Sequence, residues 1–143
     1  MNRATPQMRS IAERLIDYET PKKGATADTA TARVTDRLRP HLATLMGHGG
    51  FRALLARALK LASAEVSWLR AIEVNADGAL EGLEASYARL TVAEFREGRI
   101  VLLAQLLGLL VAFIGPALTA RLVSEIWPQL VADKVDFGNG DKK

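Results

Sequence analysis

The feature that most constrains this chain is a run of 21 residues without a single charge. The run spans residues 100–120 and lies between Arg99 and Arg121. As one helix it would be about 31 Å long, which is enough to cross a bilayer. A helix that is apolar all round has to be buried on every side, either in protein or in lipid. Which of the two covers the run decides the architecture and most of the functional alternatives.

Gly115 and Pro116 divide this run in two. Glycine commonly ends a helix, and proline is suited to the first position of the next one. The uninterrupted part, residues 100–114, is about 22 Å long as a helix and falls short of the roughly 30 Å hydrocarbon core of a bilayer. We therefore expect a buried hairpin in the core of a soluble protein. A constitutive transmembrane helix and a helix that inserts only under a trigger are the alternatives.

The start of the central helix is encoded by a capping box. Thr91 is suited to the N-cap position, and Glu94 follows it three residues later. The sequence therefore predicts a central hydrophobic helix over about residues 92–114 and a last helix over residues 116–127. In the last helix, helical spacing places Leu118 and Leu122 inward and Arg121 and Glu125 outward.

Further helices are predicted around this central element. Aromatic residues are few at 6%, and the abundance of leucine and alanine favours helix over strand. Residues 1–31 are interpreted as an N-terminal amphipathic helix plus a flexible linker, residues 32–135 as a helical bundle domain, and residues 136–143 as a disordered tail. The prediction is an all-α, single-domain bundle of five to six helices around residues 92–114.

The elements between the linker and the central helix follow from apolar spacing and turn residues. A helix beginning at Asp28 or Thr29 is predicted to kink or restart near Arg39, because of Pro40, and to end at Gly47. A long amphipathic helix is predicted over residues 51–74, and a turn and a short helix over residues 81–90 follow it. The apolar stripes also place two residues of the earlier helices among the packing positions, Tyr18 and Leu45.

The net charge of +3 is distributed unevenly along the chain. Residues 1–70 contain 12 Lys and Arg residues against 6 Asp and Glu, whereas residues 71–143 contain 7 against 10. We interpret this as a solvated surface with a modest dipole, with an anionic partner for the N-terminal half as the alternative. The helices around residues 47–50 superficially resemble a helix-turn-helix, but the second is too apolar to lie in a DNA groove. Nucleic-acid binding is therefore not favoured.

Two residues inside the apolar run are candidate ligand or interface positions. Gln105 is the one polar side chain of the central helix's apolar part, and a buried amide needs hydrogen-bond partners. A neighbouring backbone group is the expected partner, and a ligand pocket is the alternative. Gly108 lacks a side chain and would let another helix approach closely.

Two further candidates lie near the end of the long amphipathic helix. Glu65 is at the edge of the apolar face, where a salt bridge with Arg57 or Arg70 is the expected role and a buried functional acid is the alternative. Trp68 is expected to be a partly buried packing residue, with a ligand platform as the alternative.

The sequence carries no motif for catalysis or for metal binding. His41 and His48 are the only histidines and belong to no H-E-x-x-H pattern, and the chain has no cysteine. The G-x-S-x-G and G-x-G-x-x-G patterns are also absent from the sequence. We therefore predict no catalytic residue, no metal site, no cofactor and no enzymatic activity.

The architecture nevertheless allows a short set of functions. We predict a non-enzymatic helical interaction or regulatory module with a protein partner, self-associating as a homodimer. The alternative is a membrane-associated or membrane-inserting protein that uses residues 100–120. Because the chain lacks cysteine and has no apolar signal-peptide core near its start, we expect it in a bacterial cytoplasm.

Overall fold

The chain forms a helical bundle in a computed structural model, which describes residues 5–19 and 28–128 and the side chains of residues 5–18 and 34–128. The elements, in chain order, are α1 (Pro6–Glu19), α2 (Asp28–Glu65), a 3-10 helix (Ser67–Ala71), β1 (Glu73–Val74), β2 (Leu80–Glu81), α3 (Leu83–Arg89), α4 (Val92–Ile114) and α5 (Pro116–Ile126). Helices α1, α2 and α5 pack on α4, and the predicted all-α bundle is confirmed. The predicted tail and most of the predicted linker lie outside the described residues.

Helix α4 has the bounds that the sequence predicted. Thr91 Oγ1 accepts a 3.0 Å hydrogen bond from Glu94 N, and Glu94 Oε1 accepts a 3.0 Å bond from Thr91 N. Both bonds satisfy backbone donors that a helix start leaves without a partner. At the other end Gly115 has φ 92° and ψ 157°, which ends α4 and lets Pro116 begin α5. Residues 100–120 thus form a helix, a corner and a second helix.

The middle of α4 is the centre of the hydrophobic core. Every residue from 98 to 107 is buried, including the fully enclosed Leu102 and Leu106. The last turn differs, because Ala112 is exposed and Phe113 keeps 65% of its surface in water. The expectation that the run is buried on every side is therefore correct for the middle of α4 and wrong for its C-terminal end.

Helix α1 covers one side of α4 with an apolar face that is held at both ends by ion pairs. Ala12, Leu15 and Ile16 are fully buried in this contact. Arg9 pairs with Glu97 at 2.8 Å, and Asp17 pairs with Arg96 at 2.8 Å. Exposed pairs of this kind contribute little energy, typically about 0.2–1 kcal/mol each, but they orient the helix. Tyr18, which the sequence places in the packing stripe, is 43% exposed, so that prediction is wrong.

Helix α2 is interrupted at Gly47. Gly47 has φ 82° and ψ 160°, a conformation that glycine adopts without steric cost, whereas the helix continues through Pro40. Proline has no N–H group, so the carbonyl of Asp36 loses its helical hydrogen-bond donor at Pro40. Both residues are exposed, and water can therefore hydrate this carbonyl. The predicted helix end at Gly47 is confirmed as a break inside one long element, and the predicted restart of the helix near Arg39 is wrong.

The long helix predicted over residues 51–74 ends earlier than expected. After Glu65 the chain continues as the 3-10 helix and then as a two-stranded hairpin of β1 and β2. The apolar residues Val66, Leu69 and Ile72 are three apart, a spacing that suits the 3.0 residues per turn of a 3-10 helix as well as an α-helix. The predicted turn is confirmed: Asn75 Oδ1 accepts bonds from Asp77 N and Ala79 N.

The burial of α4 predicts a sharp contrast between two substitutions on the same helix. Leu106→Asp places a charge at a side chain that is 0% exposed, and the cost of an unpaired buried charge is several kcal/mol, comparable with the whole stability of a small domain. We expect this variant to be unfolded by circular dichroism and urea titration. The matched control Phe113→Asp should stay folded, because Phe113 already faces water. A folded Leu106→Asp variant would show that α4 is not the centre of the core.

Candidate functional site

Glu65 and Gln105, two of the four candidate residues, lie side by side. Gln105 Nε2 donates a 2.7 Å hydrogen bond to Glu65 Oε2 and thereby joins the end of α2 to the middle of α4. Gln105 is buried and Glu65 is half-buried. The structure thus gives the amide a carboxylate partner from another helix, which the sequence did not predict. A hydrogen bond to a charged group is among the stronger ones in proteins.

Two charged residues extend this contact towards α1. The guanidinium of Arg9 lies within electrostatic reach of Glu65 and donates two 2.8 Å hydrogen bonds to the carboxylate of Glu97. These bonds hold the pKa of Glu97 below its ordinary value, against the opposing effect of burial. Arg9, Glu65, Glu97 and Gln105 form what we call the polar cluster. Because its groups engage one another across α1, α2 and α4, we interpret the cluster as a structural tie.

Trp68 packs against the start of α4. Its ring is stacked on Phe95 with centroids 5.3 Å apart, and its Nε1 donates a 3.1 Å hydrogen bond to the carbonyl of Glu94. Tyr87 contacts the same phenyl ring edge-on, and the buried Arg99 lies 5.0 Å from the centroid of that ring. Aromatic and cation–π contacts of this kind stabilise the fold. The packing role expected for Trp68 is therefore what the geometry supports.

Among the described residues, the close approach on α4 is at Gly98 and not at Gly108. A Cβ added at Gly98 would lie 2.3 Å from Cζ2 of Trp68, whereas a Cβ added at Gly108 would meet nothing within 4 Å among the described residues. No described element approaches Gly108 closely, so the expected close approach at this position stays a prediction. Gly108 is half-buried.

The described residues offer no arrangement typical of a metal centre. No group of three or more His, Cys, Asp or Glu side chains among them is placed to hold an ion. A ring nitrogen of each histidine lies close to a backbone carbonyl. His41 Nδ1 is 3.3 Å from the carbonyl of Arg37, and His48 Nε2 is 3.1 Å from that of Ala76.

A groove of about 400 Å³ lies between the N-terminal half of α2 and helix α5. We call it the α2–α5 groove; its lining residues are Pro40, His41, Thr44, Leu45, Leu118, Arg121, Leu122 and Glu125. Leu45 and Leu118 keep 51% and 38% of their surface exposed. Both were expected to be packing residues, and that expectation is wrong because α2 and α5 leave this groove instead of closing on each other. Leu122 is buried and Arg121 and Glu125 are exposed, as predicted.

Further exposed apolar surface lies close to the groove in sequence. The described residues include five exposed large hydrophobic side chains, and three of them, Leu45, Phe113 and Leu118, lie in the groove or at residues 113–118. We call residues 113–118 the α4–α5 corner. Sequence reasoning missed the groove, because helical spacing shows which face of a helix is apolar but not how far a neighbouring helix covers it.

Helix α4 is also the one described helix that is long and apolar enough, by length and composition, to cross a membrane. Of its most apolar window, 61% is buried inside the bundle. The same test is passed by the core helices of soluble proteins.

Comparison of the chain with protein-family models, curated proteins and solved structures finds no match.

The contact between Trp68 and α4 predicts opposite effects for two glycine substitutions on one helix. Gly98→Ala forces the Trp68 ring away from its place on Phe95, and we expect a loss of about 1–3 kcal/mol in the free energy of unfolding. Gly108→Ala has open space and gains helix propensity, so stability should stay constant or rise by up to about 1 kcal/mol. Urea titration followed by tryptophan fluorescence measures both. Equal effects of the two substitutions would contradict the assignment of Gly98 as the close-approach position.

The lowered pKa of Glu97 predicts a pH dependence of stability. Because this pKa lies below the ordinary value of 4.5, the contact with Arg9 stabilises the folded state above that value and is lost as the pH falls through the lowered pKa. Urea titrations between about pH 3 and 7 should show this loss in the wild type and a smaller one in Glu97→Gln. The exposed Glu84→Gln should retain the wild-type dependence. A Glu97→Gln profile identical to that of the wild type would refute the prediction.

Proposed function

We propose that this chain is a non-enzymatic helical interaction module that binds through the α2–α5 groove and the α4–α5 corner. Its partner is a second copy of the chain, so that the protein works as a homodimer in a bacterial cytoplasm. The observation that carries the proposal is the exposed apolar surface of Leu45 and Leu118 in the groove and of Phe113 at the corner.

The composition of this surface resembles that of protein interfaces. Single exposed hydrophobic residues are normal on soluble proteins, but a contiguous apolar region rimmed by polar groups is typical of an interaction site. Here the exposed leucines lie beside Arg121 and Glu125, which give the groove a charged rim. Apolar centres and polar rims are the usual anatomy of such surfaces.

Membrane association through residues 100–120 is the second candidate, and the exposed Phe113 at the end of a membrane-length helix is the observation that favours it. Insertion of α4 would require removal of α1 and α2 from its buried middle. Binding at the groove leaves every buried contact of α4 in place. The interaction module is therefore the function that the geometry supports better.

The proposal predicts that an acidic substitution in the groove separates the dimer. We expect the wild type to sediment as a dimer at about 100 μM, a concentration at which an interface of micromolar Kd is populated. Leu118→Asp should sediment as a folded monomer. The matched control Val92→Asp, on an exposed apolar residue of α4 outside the groove and the corner, should remain dimeric. A monomeric wild type would overturn the proposal, and flotation with lipid vesicles that Phe113→Asp abolishes would favour the membrane alternative.

A further inference from the structure

We propose that two copies pack their α5 helices antiparallel to each other across the α2–α5 grooves, with Arg121 of each copy paired with Glu125 of the other. This inference rests on the proposed function, because it specifies the geometry of that homodimer. It names the partner as a second copy on grounds of charge, which are independent of the apolar surface.

The charge pattern of α5 is the first observation. Arg121 and Glu125 are the only charged residues of Pro116–Ile126, and both line the groove. Within the described residues neither takes part in a salt bridge, although they are four apart on one face of the helix. An acidic residue that follows a basic one by four positions is the less favourable order for a pair within a helix. Both charges therefore remain available to a partner.

The second observation is that this pattern is complementary to itself in one orientation only. If a two-fold axis crosses α5 at the level of residue 123, Arg121 of one copy lies opposite Glu125 of the other, and the symmetry repeats the pair. The axial offset between the two residues is about 6 Å in each helix, and antiparallel packing cancels it. Parallel packing would instead place like charges side by side. One positive and one negative side chain on the same face of α5 thus favour the antiparallel homodimer.

The apolar residues of the same face supply a reason for the helices to associate. Leu118 is four residues before Leu122 and shares its face, and Leu45 contributes from α2 on the other side of the groove. Antiparallel packing covers the exposed Leu118 and Leu45. The exposed ion pairs contribute less free energy than this burial, but they decide orientation and partner choice.

Charge reversal tests the inference directly. Arg121→Glu and Glu125→Arg each convert two attractive pairs into two repulsive ones, and we expect each to weaken the dimer about tenfold or more. The double variant Arg121→Glu with Glu125→Arg restores both pairs with exchanged charges and should recover a dimer close to that of the wild type. An equimolar mixture of the two single variants should form a heterodimer, because all four charges at its centre are then complementary.

Sedimentation equilibrium and native mass spectrometry measure these dissociation constants, with Arg57→Glu as the control for a charge reversal on an exposed arginine outside the groove. If Leu118→Asp separates the dimer but the double variant does not restore the affinity, the antiparallel geometry is overturned. The proposed function would still stand in that case. A chain that does not dimerise, or that binds vesicles instead, would overturn both.

Discussion

The covering of one charge-free helix is the constraint on which this fold depends. The middle of α4 has no side that water can face, so α1, α2 and α5 each bury an apolar face against it. Full burial of a large aliphatic side chain contributes about 1.5–3 kcal/mol, and residues 100–107 include six such side chains. The other helices therefore need only be amphipathic. The ion pairs of α1 with α4, such as Arg9 with Glu97, orient α1 without having to drive the packing.

The polar features of the core follow from the same constraint. A buried amide at Gln105 requires a partner, and Glu65 supplies it from the point where α2 ends. The 3-10 helix after Glu65 then brings Trp68 onto α4 at Gly98, the one place where a missing side chain admits the indole ring. The end of α2 is thus attached to α4 by a hydrogen bond and by an aromatic contact. Both contacts fix the position of the end of α2 relative to α4.

The features that the sequence predicted well are those with local causes. The capping box of Thr91 and the break at Gly115 each depend on a few neighbouring residues, so both ends of α4 could be predicted to the residue. The pair of Glu65 and Gln105 joins residues 40 apart in sequence, and no local pattern encodes it. The choice of Gly98 over Gly108 likewise depends on where Trp68 arrives. The exposure of Leu45 and Leu118 depends on how closely α2 and α5 approach, which helical spacing does not determine.

The two ends of α4 argue most directly for a partner. At the N-terminal end, where the helix emerges from the bundle, the exposed Val92 is followed by the charged residues Glu94, Arg96 and Glu97 at exposed or half-buried positions. At the C-terminal end the helix also emerges from the bundle, but its exposed residues there, Ala112 and Phe113, are uncharged. An exposed aromatic side chain with no charged neighbour in the last turn of α4, close in sequence to the exposed Leu118 of the groove, is a surface suited to being covered.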